Sequence, residues 1–144
     1  MDNLWVGTAP ILLDAVTAGL EDERLGGVGV FLGRVRSPNA GQVVYHLEYE
    51  GYEEMILAVM AEIAAELRSE FGELRAGIHH RLGRLVPGEV SLAVAVAAPH
   101  RGSALRACAA GVEAVKLRLP VWKREVGAGG SAYVAGSTAA GEVL

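Results

Sequence analysis

Two spacings of apolar residues alternate along the chain, and they mark out strands and helices. Gly26 to Arg36 (GGVGVFLGRVR) has period two after a glycine-rich entry. Val28, Val30, Leu32 and Arg34 share one face, and Gly29, Phe31, Gly33 and Val35 the other. Val43 to Tyr49 alternates in the same way, so the two segments are expected to pair antiparallel around the Ser37–Gly41 loop. Tyr52 to Phe71 switches to helical spacing: Tyr52, Met55, Ile56, Val59, Ile63 and Leu67 form a stripe, with most of the glutamates off it. Those carboxylates read as a solvated face.

Leu4 to Gly7 predicts a short strand, and Pro10 opens a helix over Ile11 to Leu20. Arg75 to Leu82 predicts a strand, with a turn through Gly83 to Gly88 carrying Pro87-Gly88 at its tip. Val90 to Ala98 is apolar apart from Ser91, which predicts a strand of small residues buried on both faces. A helix then follows, capped by Ser103 or Gly102 and running to about Leu119, where Pro120 ends it. Its inward positions are Leu105, Cys108, Val112, Val115 and Leu119. Val121 to Val126 and Tyr133-Val134 complete a last hairpin around the glycines between them. Strands and helices in this order, with hairpins gathered at the C-terminal end, predict an α+β fold in a single domain over residues 1–144.

Composition narrows the class. The chain has 144 residues, half of them hydrophobic, and one cysteine, Cys108. No internal disulfide or zinc cluster is expected from a lone thiol. No apolar run reaches membrane-spanning length and the first ten residues lack a signal peptide's basic flank and apolar stretch, so a cytoplasmic location is expected. His79 and His80 are adjacent on a strand and point to opposite faces, so no metal is expected there.

Charge changes the picture more. The net charge is −4, yet His100 to Arg124 holds six cations (Arg101, Arg106, Lys116, Arg118, Lys123, Arg124) against Glu113, a local +5. One basic sector on an acidic body points to a local anion site. The glycines at Gly26 to Gly29 match no phosphate-loop spacing and read as close-packing positions. Arg36, where a strand meets a turn, suits either an anion ligand or a solvated strand end. His100 and Arg101 are expected in the loop before a helix N-terminus, where free N–H groups favour an anion.

Eleven arginines stand against only two lysines, Lys116 and Lys123, seven residues apart around Pro120. Arginine is a permanent cation, whereas a lysine amine can lose its proton and act as a base or nucleophile. Two readings follow: an amine required for chemistry, or two cations facing the negative end of a helix dipole.

In order, the blocks FLGRVR, LEYEGYEEM, HHRLGRLVPGE, APHRGSALRAC and KLRLPVWKRE resemble the catalytic (large) subunit family of molybdopterin synthase over about Gly26 to Val134. The resemblance implies an α/β hammerhead with an additional antiparallel β-sheet subdomain, homodimeric and assembled with two small ubiquitin-like subunits into a heterotetramer. It implies sulfur transfer from the small subunit's C-terminal Gly-Gly thiocarboxylate to cyclic pyranopterin monophosphate, forming the molybdopterin dithiolene without a cofactor or metal. Carried over by motif, Lys116 and Lys123 would be catalytic. Arg36, His100, Arg101 and Phe31 would bind substrate, with the His-Arg pair reaching the site from the other protomer. The chain departs from the family at Arg36-Ser37-Pro38-Asn39, where an RNHN-like turn is usual. It departs again in its C-terminal segment, SAYVAGSTAAGEVL, which has no basic residue.

Two rival classes remain open at this level. One is a non-catalytic domain binding a ubiquitin-like partner tail, which would not require both lysines and the His-Arg pair. The other is a nucleic-acid module, which the net negative charge and the lack of an aromatic-basic platform weaken.

Overall fold

A computed structural model describes residues 1–134. Two four-stranded sheets and three helices make up the α+β architecture. In the first sheet the order is β1 (Asn3–Gly7), β4 (Arg75–Arg81), β6 (Val90–Ala98), β2 (Gly27–Arg34). β1 runs parallel to β4, and the other pairs are antiparallel. The second sheet is antiparallel, in the order β5 (Gly83–Leu85), β3 (Val44–Gly51), β7 (Val121–Gly127), β8 (Gly130–Val134).

β6 is the spine, buried along nearly all its length as its largely apolar sequence requires. Its two faces differ in size. Leu92, Val94 and Val96 join the core beneath α2 (Glu53–Phe71) and α3 (Arg101–Arg118), whereas Ala93, Ala95 and Ala97 meet Val16 and Leu20. Small side chains on the second face let the short α1 (Leu13–Thr17) approach the sheet. Gly77 on β4 matters for the same reason, because a Cβ there would collide with the Val16 carbonyl oxygen.

Three expectations are corrected. The helix expected over Ile11 to Leu20 spans only Leu13–Thr17. The Asn3 side chain donates to the carbonyls of Ala15 (2.7 Å) and Ala18 (3.0 Å), and Gly19 at φ +80° turns the chain away. The expected pairing of Gly26–Arg36 with Val43–Tyr49 does not occur. β2 pairs with β6 and β3 with β7, so the intervening loop crosses from one sheet to the other. Third, α3 begins at Arg101 with His100 as its N-cap, three residues before Ser103 and two before Gly102. Its start packs on β2, where a Cβ at Gly27 would lie 3.2 Å from Arg101. Consequently its buried face is Ala104, Ala107, Cys108, Gly111 and Val115, while Leu105 is exposed.

α2 buries Ile56, Met60, Ile63 and Leu67, positions four, three and four apart, leaving Tyr52 and Met55 exposed. A bridge from Arg118 to Glu66 (2.6 Å) ties α3 to α2 on the outside. No helix is long and apolar enough to cross a membrane among the described residues.

Candidate active site

Where the two sheets diverge, a cleft of about 310 Å³ opens. Its wall draws on both sheets and on the last turn of α3. Lys116 enters from α3 and Lys123 from β7, both half-buried. Strand alternation sorts the VWKRE segment. Val121, Lys123 and Glu125 face the cleft, while Trp122 points outward and is 56% exposed. Pro120 carries the chain from helix to strand, so that residues seven apart in sequence meet in one cavity.

Phe31 and Arg36 also line this cleft, with Arg34 beside them. The β2–β6 register shifts between Gly33 and Arg34, which disturbs strict alternation at this end of the strand. Arg36 Nη2 donates to Asn39 Oδ1 (2.9 Å), and Asn39 Nδ2 donates to Glu125 Oε1 (3.1 Å). Thus the Arg36-Ser37-Pro38-Asn39 turn, unusual in sequence and containing a cis Ser37–Pro38 bond, still delivers an asparagine that holds the arginine over the cleft. Four cations (Arg34, Arg36, Lys116, Lys123) and one carboxylate, Glu125, give the cavity a positive balance suited to an anionic ligand.

His100 and Arg101 lie elsewhere. They occupy the opposite end of α3, where both are exposed. Arg101 and Lys116 are fifteen residues apart on one helix, about 22 Å along its axis at 1.5 Å per residue. One small ligand cannot touch both within a single chain. The basic sector is therefore divided in space. Arg118 is held by Glu62 and Glu66, and Arg124 pairs with Glu48 (2.6 Å) on the outer face of the second sheet. Neither belongs to the cleft.

Arg34, Tyr49, His80 and Glu125 also line the cleft, although the sequence assigns none of them an individual role. Glu125 was findable as the residue two beyond Lys123 on a strand. Tyr49 was findable only through the register that sets it opposite Lys123. Burial pushes the His80 imidazole down to about 4, helped by the charges of Lys116 and Lys123 and opposed by a hydrogen bond to the Arg81 carbonyl. His79, on the other face, donates from Nε2 to Asn3 Oδ1 (3.0 Å), and burial lowers its pKa as well. Among the described residues no three His, Cys, Asp or Glu side chains come together to hold a metal ion.

The His80 shift makes a stability prediction. The folded ring binds its proton less readily than the unfolded one, so its contribution is complete above the unfolded value of 6.5 and is lost as pH falls toward about 4. At 1.36 kcal/mol per unit the whole loss is about 3 kcal/mol. Urea unfolding at pH 7.5 and pH 5 should therefore show lower stability at pH 5. Equal stability at the two values would contradict a neutral, buried His80.

A two-sheet α+β protein with a paired-lysine cationic cleft is the class that fold and site define. The family model described as MoaE protein matches residues 6–118, and the chain belongs to that family. It is similar to the molybdopterin synthase catalytic subunit of Nostoc sp., with 40% identity over 125 residues covering 86% of this chain and 76% of that protein. The crystal structure of molybdopterin synthase from Staphylococcus aureus superposes with a TM-score of 0.87 at 32% identity, covering 90% of this chain and 95% of that one. A protein-protein complex of subunits 1 and 2 of molybdopterin-converting factor from Helicobacter pylori shares the fold. There the TM-score is 0.73 at 19% identity, over 94% of this chain and 92% of that chain.

Proposed function

We propose that this protein is the catalytic subunit of a molybdopterin synthase. It takes sulfur from the C-terminal thiocarboxylate of a small ubiquitin-like subunit and delivers it to cyclic pyranopterin monophosphate, forming the molybdopterin dithiolene. The observation that carries this reading is the convergence of Lys116 and Lys123, the chain's only lysines, on one cationic cleft. Both reactants are anions, one a thiocarboxylate and the other a phosphate ester, and both are served by the positive balance of the cavity. Lys116 and Lys123 supply the groups that move protons or meet the acyl carbon, work for which an arginine is unsuited. Arg36 and Phe31 bind substrate on the β2 side.

His100 and Arg101 belong to the site of a second copy. Their separation from Lys116 along α3 supports a homodimer whose sites are shared, carried within a heterotetramer with two small subunits. The finer fold is the α/β hammerhead with its additional antiparallel sheet, a single domain over residues 1–144, acting in the cytoplasm without metal or redox cofactor. The C-terminal segment without a basic residue lies mainly outside the described residues, and the sharing of sites leaves room for substrate contacts from elsewhere.

Incubation with a thiocarboxylated small subunit and the cyclic pterin tests the reading, with dithiolene product expected. Tight binding of the small subunit's tail without any product would instead define a non-catalytic tail-binding domain. Neither binding nor product would overturn both.

A further inference from the structure

His80 is buried in the wall of the cleft, 6% exposed, on β4 beneath the lysine pair. Its Nδ1 lies 2.8 Å from the Arg81 carbonyl oxygen. A carbonyl can only accept, so Nδ1 carries the hydrogen. In a neutral ring Nε2 is then a bare lone pair, an acceptor and not a donor. The ring sits edge-on to Tyr49, with centroids 5.2 Å apart at 74°, and Tyr49 is the direct cross-strand neighbour of Lys123. Backbone and aromatic contacts therefore fix both the tautomer and the plane of this imidazole.

The cleft makes such an acceptor useful. Two lysine amines share a cavity with two arginines, so the direction in which each amine points decides whether it can act on substrate. A carboxylate would orient an amine but would also hold it firmly as an ammonium. A neutral imidazole orients without adding charge. We propose that His80 is a positioning residue for the lysine pair, its Nδ1–H anchored on the Arg81 carbonyl and its Nε2 accepting from a lysine amine to aim it at substrate. In kinetic terms the inference rests on the sulfur-transfer reading above.

Two variants and one spectrum test it. His80→Phe keeps ring volume and the edge contact with Tyr49 but has no acceptor, whereas His80→Gln retains an amide oxygen. Loss of the hydrogen bond that aims the amine predicts that His80→Phe lowers kcat about ten- to hundredfold. KM for the pterin should stay within about twofold, since the defect lies in aiming the amine and not in holding substrate. His80→Gln should recover part of kcat. A folded His80→Phe enzyme with full kcat would overturn the proposal.

The spectrum applies even if His80→Phe does not fold. Nitrogen-15 NMR of the native protein should show His80 protonated at Nδ1 and bare at Nε2, and Lys116→Ala or Lys123→Ala should move the Nε2 resonance. A ring protonated at Nε2, or an Nε2 signal unmoved by both lysine variants, would sink the idea. Absence of sulfur transfer in the native protein would count against the functional reading, while the NMR result would still decide the role of His80.

Discussion

Lys116→Arg should fold, keep its charge and bind the small subunit, yet lose nearly all sulfur transfer. The substitution is informative because of where Lys116 stands. It lies on the last turn of α3 with its stem against the cleft wall, next to Val115, which is buried, and within reach of the cavity that Lys123 and Arg36 also face. A guanidinium there would preserve attraction for a thiocarboxylate or phosphate. It could not lose a proton at any pH the protein tolerates, so acid–base or nucleophilic work by an amine would stop. General acid–base contributions are typically about 10²–10⁴-fold, and a loss of that size in kcat is expected. Thermal unfolding of the variant should match the native protein, because the residue makes no part of the buried face of α3. If the two lysines were only cations at a helix end, arginine would serve as well. An active Lys116→Arg enzyme would leave Lys116 a purely electrostatic role.

How much of this could be read from the sequence depended on the kind of signal. Val90 to Ala98 declared itself, since a strand apolar at every position but Ser91 has few places to go other than the middle of a sheet. The α2 stripe was also plain, although Tyr52 and Met55 belong to the apolar pattern and yet stay exposed. The lysine pair and Arg36 were legible from residue type and position, and they do share a cleft. Strand pairing was not legible. Period two specifies the faces of β2 and β3 but not their sheets, and a short loop between them made a hairpin look natural. Gly102 and Ser103 look like a cap in sequence, whereas close packing on Gly27 and Gly29 sets the start of α3 earlier. As a sequence feature, His80 raises only the question of a metal ligand. Its place beside Lys123 follows from a tertiary contact through Tyr49, which no local spacing encodes.

Mixing Lys116→Ala protein with Arg101→Ala protein should restore activity that neither has alone, provided that subunits exchange. Arg101 and Lys116 sit at opposite ends of the same 18-residue helix, about 22 Å apart. A helix cannot fold back to bring them to one ligand. Either Arg101 has no part in the reaction or it serves a neighbour's cleft. In a two-fold dimer with shared sites, each site takes Lys116 from one chain and Arg101 from the other. A mixed dimer then has one site carrying both lesions and one carrying neither. Random exchange at equal amounts makes half the dimers mixed, so about one quarter of native activity should return. Were each site built within one chain, every chain would bear one lesion and nothing would return. Exchange is verified separately, by tagging one variant and recovering the other with it. Full exchange without recovery would remove Arg101 from the neighbour's site, and a fully active Arg101→Ala homodimer would remove it from the reaction altogether.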